Sequence, residues 1–538
     1  MERHVLSREG NAAELFSGSL LARPRFFMIK RRISFYLLAC GLGALLGSAS
    51  YTAENSGHLA SGRNAVGFKL IVAADPTRSY PAAAGTSVQD RPMRVYLWYP
   101  AVPDQGKPLT IGDFVRWAGE DFGETTRGRP AGEPALPVPL KRGLEAEDIG
   151  PLLARPLRSH LGPSAASGEF PLLVFGQGLY YESPLSNAVL CEYLASRGFI
   201  VATCPLVGTR YRLTNLNAED LETQVRDLEF VLAEARAAFP GRTARLGVVG
   251  YDLGGMAGLL LAMHRPEIAA FLSIDSGIHI PHPSGLPGAH PSYREECFTI
   301  PWMHVTQARF LEAARTEKPE ATLSGRRKYG DSWMVGLPTV NHGGFTSYAT
   351  FGIRNPVRGY WEGFGDEARN VHDAMCRLAG DFFEATLKDA PAALSLWTCG
   401  TDAAGRGGLE VEFLRGAAAP ESSRSLLRRI MEAGLDAVRP DIDRIRAANP
   451  GAEILNGQEL RWLAYHFLLW WGREKEALDA FQLNVELHPK SAEAWAGLGE
   501  ACLLSGENEE AITSFRKALE LNPDLPNVKA ALEALTKK

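Results

Sequence analysis

"VVGYDLGG", residues 248–255, decides how the rest of the chain is read. Two valines lead into a Gly-x-x-x-Gly turn, and the small residues that follow can open a helix. Gly250 and Gly254 leave room for a tight, strained strand-to-helix turn. Such a turn thrusts the residue between the glycines, Asp252, out at the carboxyl edge of a sheet, where α/β proteins place their sites. The stretch therefore predicts a sheet and a site together.

Working outward, short apolar runs alternate with helical patterns from about residue 64. "MRVYLWYP" (93–100) alternates like a strand. "FPLLVFG" (170–176), "GFIVATCPL" (198–206), "ARLGVVG" (244–250), "AAFLSID" (269–275) and "IPWMHVTQ" (300–307) are continuous apolar runs of strand length. Continuous runs fit strands buried on both faces of a parallel sheet. Helical patterns lie between them at 184–197, 219–238 and 254–264; in the second, Leu221, Val225, Leu228, Val231 and Leu232 share one face. This βαβ series predicts a doubly wound, mostly parallel α/β sheet over 64–400. Residues 101–168, rich in Pro, Gly and charge, break the rhythm. A segment this long between two strands is expected to fold over a site.

The composition is that of a globular protein: 538 residues, 45% hydrophobic, 22% charged, with a formal net charge of −5. That balance gives no reason to expect nucleic acid or an anionic membrane as partner. The first 49 residues read as an extension plus an export signal. From Met28, "MIKRRISFYLLACGLGALLGSAS" sets Lys30, Arg31 and Arg32 before an apolar run, Ile33 to Gly47, with small residues to Ala49 for cleavage. The run is short for a membrane span, which needs ~20 apolar residues. The expectation is a secreted or periplasmic protein with no stable span after cleavage; an uncleaved anchor is the alternative. Seven cysteines are present without a C-x-x-C pair. They read as scattered buried thiols, not as a metal site.

A second, all-α module is expected over 420–538. "WWGREKEALDAFQLNVELHP" (470–489) matches "LSGENEEAITSFRKALELNP" (504–523). Gly472 and Gly506, Ala477 and Ala511, Phe481 and Phe515, and Pro489 and Pro523 are each 34 residues apart. With Trp495, Leu498 and Gly499 this resembles the tetratricopeptide repeat. The small residues let paired helices approach closely and the aromatics fill the seam. A helical hairpin (423–448) precedes the repeats and a capping helix (524–538) follows. The module implies either a protein or peptide partner in its concave face or a structural appendage.

The turn at 244–264 has the strand–turn–helix context of a nucleophile elbow. "FGQGLYYES" (175–183) follows a buried strand and precedes a helix, where the amides of an oxyanion hole arise. Gln177, Gly178 and Leu179 are its candidate residues, and Leu253, after the elbow residue, supplies the second amide. Asp275 ends the next strand, and His342 lies in the Gly-flanked loop "LPTVNHGGFTSY". The order elbow, acid, histidine makes Asp252, Asp275 and His342 the candidate catalytic set. Ser276 and Ser183 are rejected as nucleophiles, because neither sits on an elbow.

"FPLLVFGQGLYYES", "LASRGFIVATCPLVGT", "RLGVVGYDLGG" and "RVYLWYPA" resemble the platelet-activating factor acetylhydrolase and dienelactone hydrolase branch of α/β-hydrolases. The resemblance covers about 64–390. It implies hydrolysis of a small-molecule or lipid-like substrate, without metal or cofactor, and supports Asp275 as the acid. Two positions depart from that branch: Asp252 stands where it has Ser, and Gln177 where it has His. A carboxylate of ordinary pKa, about 4, needs no base to be ionised. Against a carboxylic ester it would form a high-energy mixed anhydride. Against an sp³ carbon it would form an ordinary ester for water to cleave. An Asp–His–Asp set of that kind is what epoxide hydrolases and haloalkane dehalogenases use. The dehalogenases' Trp after the Asp is Leu253 here, and Tyr180 and Tyr181, just after the expected oxyanion strand, are the candidates for the two ring-opening acids an epoxide hydrolase needs. The competing reading is a pseudohydrolase, with Asp252 and His342 an unreactive ion pair and the repeats a scaffold.

Overall fold

The computed structural model describes residues 59–81, 88–121, 136, 140, 144–179, 183–338, 340–351, 366–395, 409–417, 423–448, 454–469 and 473–536. The expected export signal, Tyr180, Tyr181 and Gly472 lie outside them.

Among the described residues, eleven strands form one sheet. In chain order they are β1 (Ala65–Pro81), β2 (Val88–Ala101), β3 (Lys107–Thr110), β4 (Pro156–Leu161), β5 (Phe170–Gly176), β6 (Ile200–Thr203), β7 (Thr243–Tyr251), β8 (Ile268–Ile274), β9 (Trp302–Gln307), β10 (Ser332–Leu337) and β11 (Glu410–Leu414). Their spatial order is β11-β10-β9-β8-β7-β5-β6-β2-β1-β4-β3. β5 to β10 run parallel, and β2 and β11 flank them antiparallel. The apolar runs are continuous because both faces of these strands are covered. In β5, Leu173 and Phe175 enter the core beneath helices Ala188–Ser196 and Asp366–Leu387. Leu172 and Val174 enter the opposite core with helices Ala218–Ala238 and Leu253–His264. The mostly parallel α/β fold expected from the runs is the fold observed.

β10, which the apolar-run reading passed over, delivers the chain to His342. Residues 101–168 also differ from a simple cover. Their described parts extend the sheet: β4 pairs parallel with β1, and β3 antiparallel with β4. The helix Ile111–Asp121 packs Phe114 and Trp117 on Phe68, with ring centroids 5.0 and 5.1 Å apart. Burying this aromatic cluster explains why a charged, Pro-rich segment is tied to the sheet.

Switching from β5 to β6 on one side and then to β7 on the other makes a topological switch point. The crevice at the carboxyl ends of β5 and β7 is where such sheets bind ligands. At that point the elbow helix presses on β5: a Cβ on Gly254 would lie 2.1 Å from the Gly176 carbonyl oxygen.

The C-terminal region is helical: Ser423–Ala433, Arg439–Ala448, Gly457–Leu469, Glu474–Leu487, Ala492–Leu504, Asn508–Leu521 and Pro526–Thr536. Phe481 and Phe515 are fully buried, Phe481 against Gly497 and Phe515 against Gly499. These are the seam contacts the 34-residue spacing predicts. The helix Gly457–Leu469, part of no expected repeat, joins the module to the sheet domain. Its Trp462 enters the core behind the elbow helix and meets His264 edge-on at 4.4 Å. Beside it, Arg265 Nη1 and Nη2 lie 2.6 and 2.7 Å from the two ring nitrogens of His466. Burial, then the charge of Arg265, holds that imidazole well below the usual histidine range.

Candidate active site

Five adjacent strands end at the crevice, and each contributes. β5 runs into Gln177, Gly178 and Leu179, β7 into Asp252, β8 into Asp275, β9 ends on Thr306 and Gln307, and β10 leads to His342. Leu179 and His342, 163 residues apart in sequence, face the same Asp252 carboxylate because parallel strands all point the same way.

Asp252 has φ 50° and ψ −118°. A non-glycine residue with positive φ costs of order 1–3 kcal/mol and persists only when its surroundings hold it. Here its amide donates to Ile274 O at 3.0 Å, and its carbonyl accepts from Gly255 N at 2.9 Å and Ser276 Oγ at 2.7 Å. Ser276 is thus a brace for the elbow. Ser183 caps the short turn Pro184–Asn187, accepting from Leu185 N at 3.3 Å.

The Asp252 carboxylate is held by backbone. Leu179 N–H donates to Oδ2 at 2.8 Å, and Leu253 N–H adds a further hydrogen bond to the carboxylate. These are the two amides expected to form the oxyanion hole. The side chain keeps some solvent contact, at 23% exposed. Its carboxyl is nonetheless pushed above the usual range by burial, against the opposing effects of His342 and the two amides. The expected ordinary pKa is thereby corrected: enclosure raises it, because the charged form loses water.

His342 Nδ1 lies 2.7 Å from Asp275 Oδ2, and Nε2 lies 3.9 Å from Asp252 Oδ2. A carboxylate only accepts, so Nδ1 carries a proton and Nε2 of the neutral ring faces Asp252. Asp275 also accepts from Thr306 Oγ1 at 2.9 Å and Gln307 Nε2 at 2.7 Å. Burial opposes its charge, but His342 and these donors outweigh it and hold the carboxyl below its ordinary range. For His342, burial favours the neutral ring, and the Asp275 hydrogen bond with the two carboxylates outweighs it; its pKa is raised.

Gln177 differs from expectation. Its side chain turns into the core, where Nε2 donates to Thr203 Oγ1 at 2.9 Å and Oε1 accepts from Asn187 Nδ2 at 2.7 Å. Thr203 Oγ1 donates in turn to Phe175 O at 2.6 Å. Gln177 therefore anchors the turn that presents Leu179 N–H and leaves substrate contact to others. Gly178 sits against Tyr251 and Asp252. Sequence reasoning missed Thr306 and Gln307. Their signal was the polar end of "MHVTQ" on a strand beside that of Asp275, legible only once β8 and β9 are known to be neighbours. Among the described residues, no group of three His, Cys, Asp or Glu side chains could hold a metal.

The C-terminal module compares with a known family. Residues 492–525 match the tetratricopeptide repeat model. The tetratricopeptide match covers Ala492–Leu504, Asn508–Leu521 and the turn after them. Among solved structures, the chain is similar to a ferulic acid esterase from Streptomyces cinnamoneus, at 20% identity and TM-score 0.45. That similarity covers 66% of this chain and 99% of the esterase. No curated protein matches the chain.

Proposed function

We propose that this chain is an exported hydrolase in which Asp252 attacks an sp³ carbon, forming an alkyl ester that water then cleaves with His342 as base. One observation carries the reading: Oδ2 of Asp252 accepts from Leu179 N–H, a donor of its own oxyanion hole. An acyl substrate's oxyanion would find Leu179 N–H already engaged, which argues against routine ester cleavage. A carboxylate attacking through Oδ1 needs this arrangement. When water later adds to Cγ of the alkyl ester, negative charge develops on Oδ2, at the amides that stabilise it.

The steps balance. Asp252 Oδ1 bonds to carbon as the carbon–leaving-group bond breaks, and the leaving group departs with the electron pair. His342 Nε2 takes a proton from water as its oxygen bonds to Cγ. The Cγ–Oδ1 bond then breaks, the departing alkoxide receives that proton as the alcohol, and the new carboxyl gives the second water proton to solvent, which restores the Asp252 carboxylate. Asp275 holds the Nδ1 proton and stabilises the imidazolium.

A second reading, a pseudohydrolase, is favoured by one feature: the imidazole of His342 lies between two carboxylates, Asp275 and Asp252, whose charges favour its protonated form. Intact-mass spectrometry decides between them. His342→Ala is incubated with a panel of epoxides, alkyl halides and short acyl esters. An alkyl adduct on Asp252, absent in Asp252→Asn, is the expected result. No adduct and no turnover with any class would overturn the hydrolase reading.

The tetratricopeptide module suggests capacity for protein interaction, and we assign it a peptide-binding or scaffolding role apart from the catalytic crevice. Export by the signal over 28–49 belongs to the same proposal. Among the described residues, no helix is long and apolar enough to cross a membrane.

A further inference from the structure

We propose that Tyr251, the residue before Asp252, is a positioning residue that fixes the plane of the His342 imidazole. The inference rests on the reading of His342 as the base of the site. Tyr251 closes β7 and is fully buried. Its hydroxyl donates to the main-chain oxygen of His342 at 2.9 Å. Its ring lies stacked on the imidazole, with centroids 4.8 Å apart and planes at 22°. Its other flank meets the turn after β5: a Cβ on Gly178 would stand 2.7 Å from Tyr251 Cδ1. One side chain therefore touches both the turn that offers Leu179 N–H and the histidine that faces the same carboxylate.

The need for it is geometric. His342 begins a short turn, His342–Phe345, five residues after β10 ends at Leu337. Asp275 holds the ring at one atom, Nδ1. A ring held at one atom can still tilt about that hydrogen bond and carry Nε2 off its line to Asp252. Stacking removes the tilt, and the hydroxyl ties down the main chain that carries the ring. A phenol face also attracts an imidazolium. The titratable groups facing the imidazole are Asp275 from the end of β8, Asp252 from the elbow and the Tyr251 phenol from β7.

Two substitutions in the full chain separate the contacts. Tyr251→Phe keeps the ring and removes the hydroxyl; Tyr251→Leu removes both. Two quantities are read: the decay rate of the Asp252 alkyl adduct with an alkyl halide probe, and the pH titration of the His342 ring proton by NMR, assigned through His342→Gln. Tyr251→Leu is expected to slow adduct decay roughly 100-fold, the scale of a misplaced catalytic group, with KM for the probe within about twofold. Its His342 titration should move to lower pH. Tyr251→Phe should fall between, because the ring remains. Wild-type decay and titration in both variants would overturn the proposal. If Tyr251→Leu does not fold, Tyr251→Phe decides: unchanged decay and an unchanged titration overturn it. If even the wild type forms no adduct, the hydrolase reading has failed on its own. The titration still tests the positioning, and a curve unshifted in Tyr251→Leu would overturn it.

Discussion

Asp252 shows how much one side chain decides. Placed where the resembled branch has serine, its Oδ2 accepts from Leu179 N–H, one of the two amides expected to form the oxyanion hole. On the proposed reading the chemistry follows from occupancy: a backbone amide that holds the second oxygen of Asp252 serves the hydrolysis of an ester on that residue and not the attack on a foreign one. Asp252→Ser should reverse this. A serine has no second oxygen, so Leu179 N–H and Leu253 N–H become available to a substrate carbonyl. Turnover of a p-nitrophenyl ester should rise about 100-fold above the wild-type level, the scale one oxyanion donor contributes. Continued silence of a folded Asp252→Ser variant would show that the remaining site does not support acyl transfer.

At the scale of elements, the site is a product of strand ends. Leu179, Asp252, Asp275 and His342 follow β5, β7, β8 and β10 in turn, and Thr306 and Gln307 close β9. The elbow works only because the helix Leu253–His264 starts against the backbone of β5. A methyl on Gly254 would strike the Gly176 carbonyl oxygen at 2.1 Å, and backbone cannot swing aside as a side chain can. Gly254→Ala should destabilise the fold by about 3 kcal/mol, the upper range for overpacking. Chemical denaturation measures this; a change under about 0.5 kcal/mol would refute the close approach.

Over the whole molecule, the sheet domain and the helical module share buried contacts. Trp462 fills the core behind the elbow helix, Arg265 meets His466, and Cys297 Sγ lies 3.2 Å from Glu459 Oε1. These lie at the far end of the helix that Asp252 starts, so the module docks behind the site and leaves the crevice to the strand ends. Trp462→Ala should cost about 3–5 kcal/mol, as large-to-small core changes do. Limited proteolysis should then release the C-terminal helices as a fragment. An unchanged melting midpoint together with an unchanged digestion pattern would contradict the docking.

Much of this was legible in local pattern. Continuous apolar runs marked β5, β7, β8 and β9, because strands buried on both faces need apolar residues at every position. "VVGYDLGG" marked the elbow, because only glycine tolerates the backbone approach there. The 34-residue repeat marked paired helices, because each pair buries the same seam. Asp252, Asp275 and His342 were nameable from order along the chain. What periodicity could not carry was distance between elements. The occupation of the amides by Oδ2, the donors Thr306 and Gln307, the inward turn of Gln177 and the stack of Tyr251 on His342 all depend on which strands are neighbours. So does the raised pKa of Asp252, since desolvation is a property of the surroundings and not of the residue. The sequence by itself determined the mostly parallel sheet, the elbow and the three side chains, Asp252, Asp275 and His342, that come together beside it. Only the tertiary structure decided which atom of Asp252 is held, because that depends on which strand ends are neighbours.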